Sequence, residues 1–495
     1  MSGIAGQLGN NEAAVSQILE NISHRGPHGT VTFDEGSIHL GINELNVGGD
    51  SREGSHSASK GKKAVVLDGR IYNEALSKYS DAEAVLSLYE QFGDRFAEKI
   101  DGDFACAIRD GSSMILARDE AGVKPLYYGH DNEGNLCFAS EAKGLAGISS
   151  DLKEFPPGYI YSRQIGFRRF VSTAVSTPDV TTYDQAKSIL RELLEKAVEK
   201  RMRDNAVTGV LLSGGLDSSL IAAMACRIRP GIQCFTVSME DGVDLPLARD
   251  VTAALTLPHH VRMFGNDDIS KVLPEAIHYQ EMFEESCVHG AIANFLAGQF
   301  IKGKSSCVLT GEGADEFFAG YDGQYKAASN QEEVAAICDT LINVAHNTAL
   351  QRLDRLNAAN GYESRTPFLD AAVMQFARKL PLAWKIHGED RTGKWILRQA
   401  FEDVLPEHII YQTKRFFAQG SGVAYVMREE AEKNISREEL DAFNSQKGNP
   451  LLSSVEELYY YRFFKKTFPC NSFDRLVGRW DPLRPDFFPR WEKRI

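Results

Sequence analysis

The chain has 495 residues, enough for two or three domains, and its 43% apolar and 25% charged residues are the balance of a globular protein. A formal net charge of −13 excludes the basic footprint that sequence-independent nucleic-acid binding requires, and no apolar run reaches the length of a membrane span. Eight scattered cysteines without a Cys-x-x-Cys, and twelve histidines without metal-ligand spacing, exclude a disulfide framework and a zinc site. The cysteine usage fits a reducing cytosol. Met1 to Gly6 lacks a basic stretch and an apolar core, so no signal peptide and a cytoplasmic location are expected. Adjacent His259 and His260 would point apart and are read as structural.

Residues 1 to about 170 read as β-rich. Ala64–Leu67, Phe104–Ile108 and Met114–Ala117 are short apolar strands bounded by Gly, Asp and Ser. Two stretches, Ala13 to Ile22 and Asp81 to Phe92, have apolar residues at helical spacing. Pro156-Pro157-Gly158 marks a turn, and residues 171–182, rich in Thr, Ser, Val and Pro, read as a linker.

Thr182-Tyr183-Asp184-Gln185 matches a capping box and opens a long amphipathic helix to about Arg203. Strands at 207–212, 233–237 and 306–310 then alternate with helices at 218–228 and near 246–255. This alternation predicts a doubly wound parallel sheet, whose ligand sites lie at the carboxyl ends of strands. Beyond 330 the chain is predicted to be mostly helical, with no internal repeat.

The run Gly209 to Ser219 ends a buried strand in Ser213-Gly214-Gly215 and opens a helix with Leu216-Asp217-Ser218-Ser219. Backbone N–H groups and the helix dipole converge there into an anion site, and the hydroxyls add donors. Asp217 would repel bare phosphate but suits one bridged by Mg²⁺. The run lacks the Gly-Lys-Ser/Thr end of a Walker loop. It resembles the PP-loop of ATP pyrophosphatases, which split ATP between the α and β phosphates. A second glycine turn, Thr310-Gly311-Glu312-Gly313-Ala314-Asp315-Glu316, crowds three carboxylates after another strand. They would repel one another unless a cation meets them. A third segment, Tyr411 to Phe417, holds Lys414 and Arg415, which suit the charge of a leaving pyrophosphate.

In content and order, these three pieces resemble the asparagine synthetase family. Asp68-Gly69-Arg70-Ile71-Tyr72-Asn73, Gly361 to Asp370 and Lys394-Trp395-Ile396-Leu397-Arg398 agree with it. The resemblance implies adenylation of a substrate carboxylate by ATP, followed by attack of ammonia on the acyl-AMP. By position Leu212, Val237, Thr310 and Gly311 would contact the nucleotide. Ser213, Gly214, Gly215, Asp217, Ser218 and Ser219 would hold pyrophosphate, and Asp217 with Asp315 would hold Mg²⁺. Lys414 would steady the phosphate charge, and Glu312 would serve acyl-adenylate formation. The related β-lactam synthetases carry Tyr in place of Glu312, so Glu312 points to intermolecular amide formation.

The resemblance also implies an N-terminal αββα sandwich of the N-terminal-nucleophile type. Here its glutaminase pocket departs from the family. Ser2 replaces the cysteine nucleophile and is a weaker one. Asp68-Gly69-Arg70 replaces Asn-Gly-Glu, and Glu44 replaces the arginine that grips the glutamine carboxylate. Asp68 would oppose a developing oxyanion, and Arg70 would repel the glutamine ammonium. Asp81 survives among these contacts. In the synthetase half, His289 stands where asparagine-forming relatives carry an arginine.

The expected architecture is therefore an α/β multidomain chain. Residues 1–175 form a glutaminase-like domain without glutaminase activity, and 183–495 a PP-loop synthetase domain with a helical C-terminal part. The expected reaction is aspartate, ammonia and ATP to asparagine, AMP and pyrophosphate. Another carboxylic acid and amine, or a non-catalytic scaffold, are the alternatives. A homodimer is kept open as the assembly, with neither nucleic acid nor membrane as a partner.

Overall fold

The computed structural model describes residues 2–9, 11–47, 56–240, 242–413 and 420–479. The first half is two antiparallel six-stranded sheets packed face to face. One runs, in spatial order, Lys153–Glu154, Tyr127–His130, Leu136–Ala139, Gly3–Leu8, Ile38–Glu44 and Gly29–Glu35. The other runs Gly166–Arg169, Tyr159–Ser162, Ser113–Arg118, Gly102–Asp110, Lys63–Ile71 and Ser57–Lys60. Strand alternation builds the layers. Ile4, Leu40 and Ile42 meet Val66, Ala105 and Ala107 between the sheets. On the outer faces, Ala5 packs with the helix Glu12–Asn21, and Val65, Leu67 and Cys106 pack with the helix Asp81–Phe92. That helix opens on a full capping box of Ser80 and Glu83.

The linker is followed by the helix Tyr183–Met202. Thr182 caps it by accepting from Gln185 N, but the Gln185 side chain accepts from Thr181, one residue before the cap. The predicted capping box is thus half formed.

A parallel five-stranded sheet follows, in the order His259–Met263, Gln233–Ser238, Gly209–Leu211, Cys307–Leu309 and Glu363–Arg365. The chain moves outward from Gly209–Leu211 in one direction, then returns to build on its other side. The switch point lies between Gly209–Leu211 and Cys307–Leu309, where such sheets open a ligand crevice. Beyond 330 the chain is largely helical as expected, but Glu363–Arg365 adds the fifth strand. His259 and His260 point to opposite faces, His259 bonding Thr236 and His260 stacking on Phe235.

The two halves share one apolar core. Ala5, Val15 and Tyr127 from the first pack with Met282, Phe283 and Leu356 from the second. All eight cysteines are free.

Candidate active site

The helix Leu216–Ile228 begins at Gly215, so its first N–H groups face the switch point. Gly214 has φ +86°, and a Cβ there would meet Asp244 O and Ala248 N at 2.7 and 2.6 Å. Only glycine lets the turn close against the helix Asp244–Leu255. Within the loop, Ser218 Oγ accepts from Ser213 N at 3.2 Å and lies 3.0 Å from Ser213 Oγ. Ser213 Oγ accepts from Gly215 N at 3.2 Å. These bonds fix the loop at the start of the helix, where the first N–H groups have no intrahelical partner.

One cavity collects both glycine turns. Ser213, Gly215, Asp217 and Ser218 line one side; Thr310, Gly311, Glu312 and Asp315 line another. Lys394, Arg398 and Gln412 complete it from the C-terminal part. Leu212 and Val237 are buried in separate cores, and the wall takes Leu211 instead, because adjacent residues of a strand face opposite ways. Ser219 is fully buried with its hydroxyl unpartnered. Lys414 lies outside the described residues. Just before it, Gln412 Nε2 donates to Gly214 O at 2.9 Å, tying that segment to the loop.

The three acids of the second turn are kept apart by three different partners. Asp315 meets the Lys394 ammonium at 2.5 Å, and the same ammonium lies 2.6 Å from Asp217. Gly320 makes this possible, since a Cβ there would fall 2.3 Å from Lys394 Cε. Glu312 pairs with Arg352. Glu316 accepts from the Tyr321 hydroxyl at 2.5 Å, and burial, aided by the negative charges of Asp315 and Glu312, pushes its carboxyl up to about 7. Lys394 and Arg352 were not assigned roles from sequence. Lys394 sits in a quoted motif, whereas Arg352 reaches Glu312 across 40 residues of chain. His289 does not line the cavity: it is buried against Glu456, which also accepts from Tyr460 at 2.6 Å.

The pocket around Ser2 is filled with paired charge. Ser2 N donates to Asp68 Oδ1 at 2.9 Å, and Ser2 Oγ lies 3.0 Å from His56 Nδ1. Burial, reinforced by Arg70, holds His56 well below the usual imidazole range, so it is neutral. Arg25 binds Ser2 O and pairs with Asp68, Glu141 and Asp354 at 2.7–2.8 Å. Arg70 lies 3.2 Å from Asp81 and 3.1 Å from Glu363. Gly69 and Arg70 continue the strand Lys63–Ile71, and Glu44 ends the strand Ile38–Glu44, where it accepts from Ser57 Oγ at 3.4 Å.

The chain matches the asparagine synthase family model over residues 189–348 and 337–470, and the glutamine amidotransferase domain model over 1–157. It is 33% identical to an Arabidopsis thaliana glutamine-hydrolysing asparagine synthetase 2, over 95% of this chain and 88% of the relative. A Pisum sativum nodule asparagine synthetase is 32% identical, with 95% and 87% covered. The chain belongs to the asparagine synthetase family. As a member of it, the protein is an AMP-forming carbon–nitrogen ligase with an amidotransferase-type first half. The asparagine synthase match spans both glycine turns and the helix that carries Arg352. Among the described residues, no helix is long and apolar enough to cross a membrane.

Proposed function

We propose that this protein makes asparagine from aspartate, free ammonia and ATP, and that its first half does not hydrolyse glutamine. The relatives support the synthetase reaction. The observation that carries the second part is Arg70. It covers Asp81, the one acid left in the pocket to receive a glutamine ammonium, and is itself anchored by Glu363 of the other half. Glutamine binding would have to break a buried ion pair, which is strongly unfavourable. Asp68, in the place of an oxyanion donor, is instead an acceptor held by Ser2 N and Arg25.

In the synthetase cavity the aspartate side-chain carboxylate attacks the α-phosphorus of ATP. The bond to the bridging oxygen breaks, and pyrophosphate leaves against the loop N–H groups and Lys394. Ammonia then attacks the acyl carbon and loses a proton, and AMP leaves with its oxygen. Glu312, held by Arg352, is placed to orient the acid and take that proton. Among the described residues no three His, Cys, Asp or Glu side chains group to hold a metal. Asp217 and Asp315 nevertheless converge on a single cation, so they are the residues that would hold a Mg²⁺. Bound there, Mg²⁺ would screen the charge of the transferring phosphates.

The test is pyrophosphate release with ATP, Mg²⁺ and aspartate, supplied with ammonium or with glutamine. Release and asparagine formation with ammonium alone are expected, with no glutamate formed from glutamine. Glutamate release at rates comparable to synthesis would overturn the second part. Absence of pyrophosphate with aspartate and ammonium would overturn the first.

A further inference from the structure

Arg352, which holds Glu312, follows an irregular stretch of helix. The helix Gln331–Ala345 passes into a π-turn, His346–Leu350, and then into the helix Gln351–Ala359. A π-turn takes in one residue more than an α-turn, and such turns cluster at functional sites. At about 3.6 residues per turn, one residue shifts everything beyond it by about 100° around the axis and about 1.5 Å along it. Were residues 346–350 wound as plain α-helix, Arg352 would turn away from Glu312, and Leu353 off the cavity wall. The π-turn therefore sets the register of both.

Two side chains of the first half bracket this turn. Glu154 Oε1 lies 2.7 Å from His346 Nδ1, and Glu154 Oε2 accepts from Asn347 Nδ2 at 2.5 Å. Just past the turn, the Tyr127 hydroxyl donates to Gln351 Oε1 at 3.3 Å and accepts from Arg355 Nη2 at 2.6 Å. The Arg355 guanidinium also lies over the Tyr127 ring, 5.1 Å from its centre. All six residues are buried, so water does not compete for these bonds. Glu154 and Tyr127 are direct cross-strand partners in the first sheet, so their side chains stand together on one face. Two anchors on one rigid surface fix how many residues are wound between them. Gly122 permits the close approach: it has φ +68°, and a Cβ there would fall 2.8 Å from His346 Cβ.

We infer that Glu154 and Tyr127 are positioning residues for amide synthesis: they hold the π-turn, and through it the place of Arg352 and Glu312. The inference rests on the role given to Glu312 above. It gives the first half a part in the synthetase reaction that needs no chemistry at Ser2.

The test uses the full-length wild type, Tyr127→Phe and Glu154→Gln, each substitution alone and combined with Arg352→Met. Pyrophosphate release is measured with ATP and aspartate varied separately. Tyr127→Phe keeps the ring and removes only the hydroxyl. Each single variant should lower kcat/KM for aspartate by roughly 3- to 10-fold, the worth of one lost hydrogen bond, and leave the KM for ATP unchanged. In the Arg352→Met background neither should lower it further, because both act through Arg352. Val65→Ala, in the outer core of the same sandwich, should lower the melting temperature and leave kcat/KM for aspartate unchanged. Additive losses in the double variants, or an equal loss in Val65→Ala, would overturn the inference. So would wild-type kinetics in Tyr127→Phe and Glu154→Gln beside an impaired Arg352→Met. Unimpaired aspartate kinetics in Arg352→Met itself would overturn the role of Glu312 and the inference together.

Discussion

The Lys394 ammonium stands between Asp217 and Asp315, 2.6 Å from one carboxylate and 2.5 Å from the other. The acids come from the helix after the first glycine turn and the helix after the second, so the lysine joins the two turns electrostatically. Without it two carboxylates would face each other in a half-enclosed crevice, which disfavours both charges.

Lys394→Met should therefore act twice. Pyrophosphate release should fall at least 100-fold, roughly the effect of removing a preorganised charge from a transition state. The ligand-free protein should also melt lower, and Asp315→Asn added to Lys394→Met should recover part of that loss without recovering activity. Thermal melts with a pyrophosphate assay check both, and an additive double variant would count against the shared-cation geometry.

Glu312 and Arg352 should separate by kinetics. Glu312→Gln keeps the shape and loses the base, so asparagine formation should drop by roughly 100-fold or more with little change in KM for ATP. Arg352→Met leaves Glu312 chemically intact but unheld, so kcat should fall less and KM for aspartate should rise. Steady-state assays varying ATP and aspartate separately would reveal the split.

Ser2→Cys restores the better nucleophile but leaves Arg70 on Asp81 and Arg25 on Asp68. Glutamate release from glutamine should stay at background. Vigorous release from this single variant would mean that Glu44, Asp68 and Arg70 do not block the pocket.

Glu154 carries a pH signature. It pairs with Arg118 at 2.8 Å and His346 at 2.7 Å, and despite burial these charges lower its carboxyl from 4.5 to about 2. A lowered carboxyl stabilises the fold fully above its unfolded value near 4.5, and that contribution disappears as pH falls through the folded value. The shift corresponds to about 3 kcal/mol. Urea denaturation should show Glu154→Gln less stable by about this amount near pH 6, with the gap to wild type closing between pH 4.5 and 2. A pH-independent gap would show that the loss is packing rather than charge.

Both glycine turns were legible because their chemistry is local: a strand end, small residues, and polar side chains within one turn of helix. The sandwich layers were legible only through family resemblance, since a strand such as Gly3–Leu8 is buried along its whole length and shows little alternation. Leu212 was one residue off the cavity wall, because pleat parity depends on which face the sheet buries. Glu363–Arg365 escaped notice as a strand: three residues, two of them charged, in a helical stretch. Its charges are bound by Arg70 and Asp204. Lys394 and Arg352 reach their neighbours through the tertiary fold, which residue spacing does not encode.

The helix Gln351–Ala359 carries Asp354, a buried acid whose ion-pair partners, Arg25 and Lys124, both belong to the other half of the chain. Cutting at the linker would strand that carboxylate in a face built to exclude water, two residues along the helix from the Arg352 that holds Glu312. The amidotransferase-type half is thus a fixed counter-ion for the synthetase half, independent of any reaction of its own. Whatever reaction the first half performs, its removal would leave a buried charge without partners, and the attachment can be traced to two cations and one carboxylate.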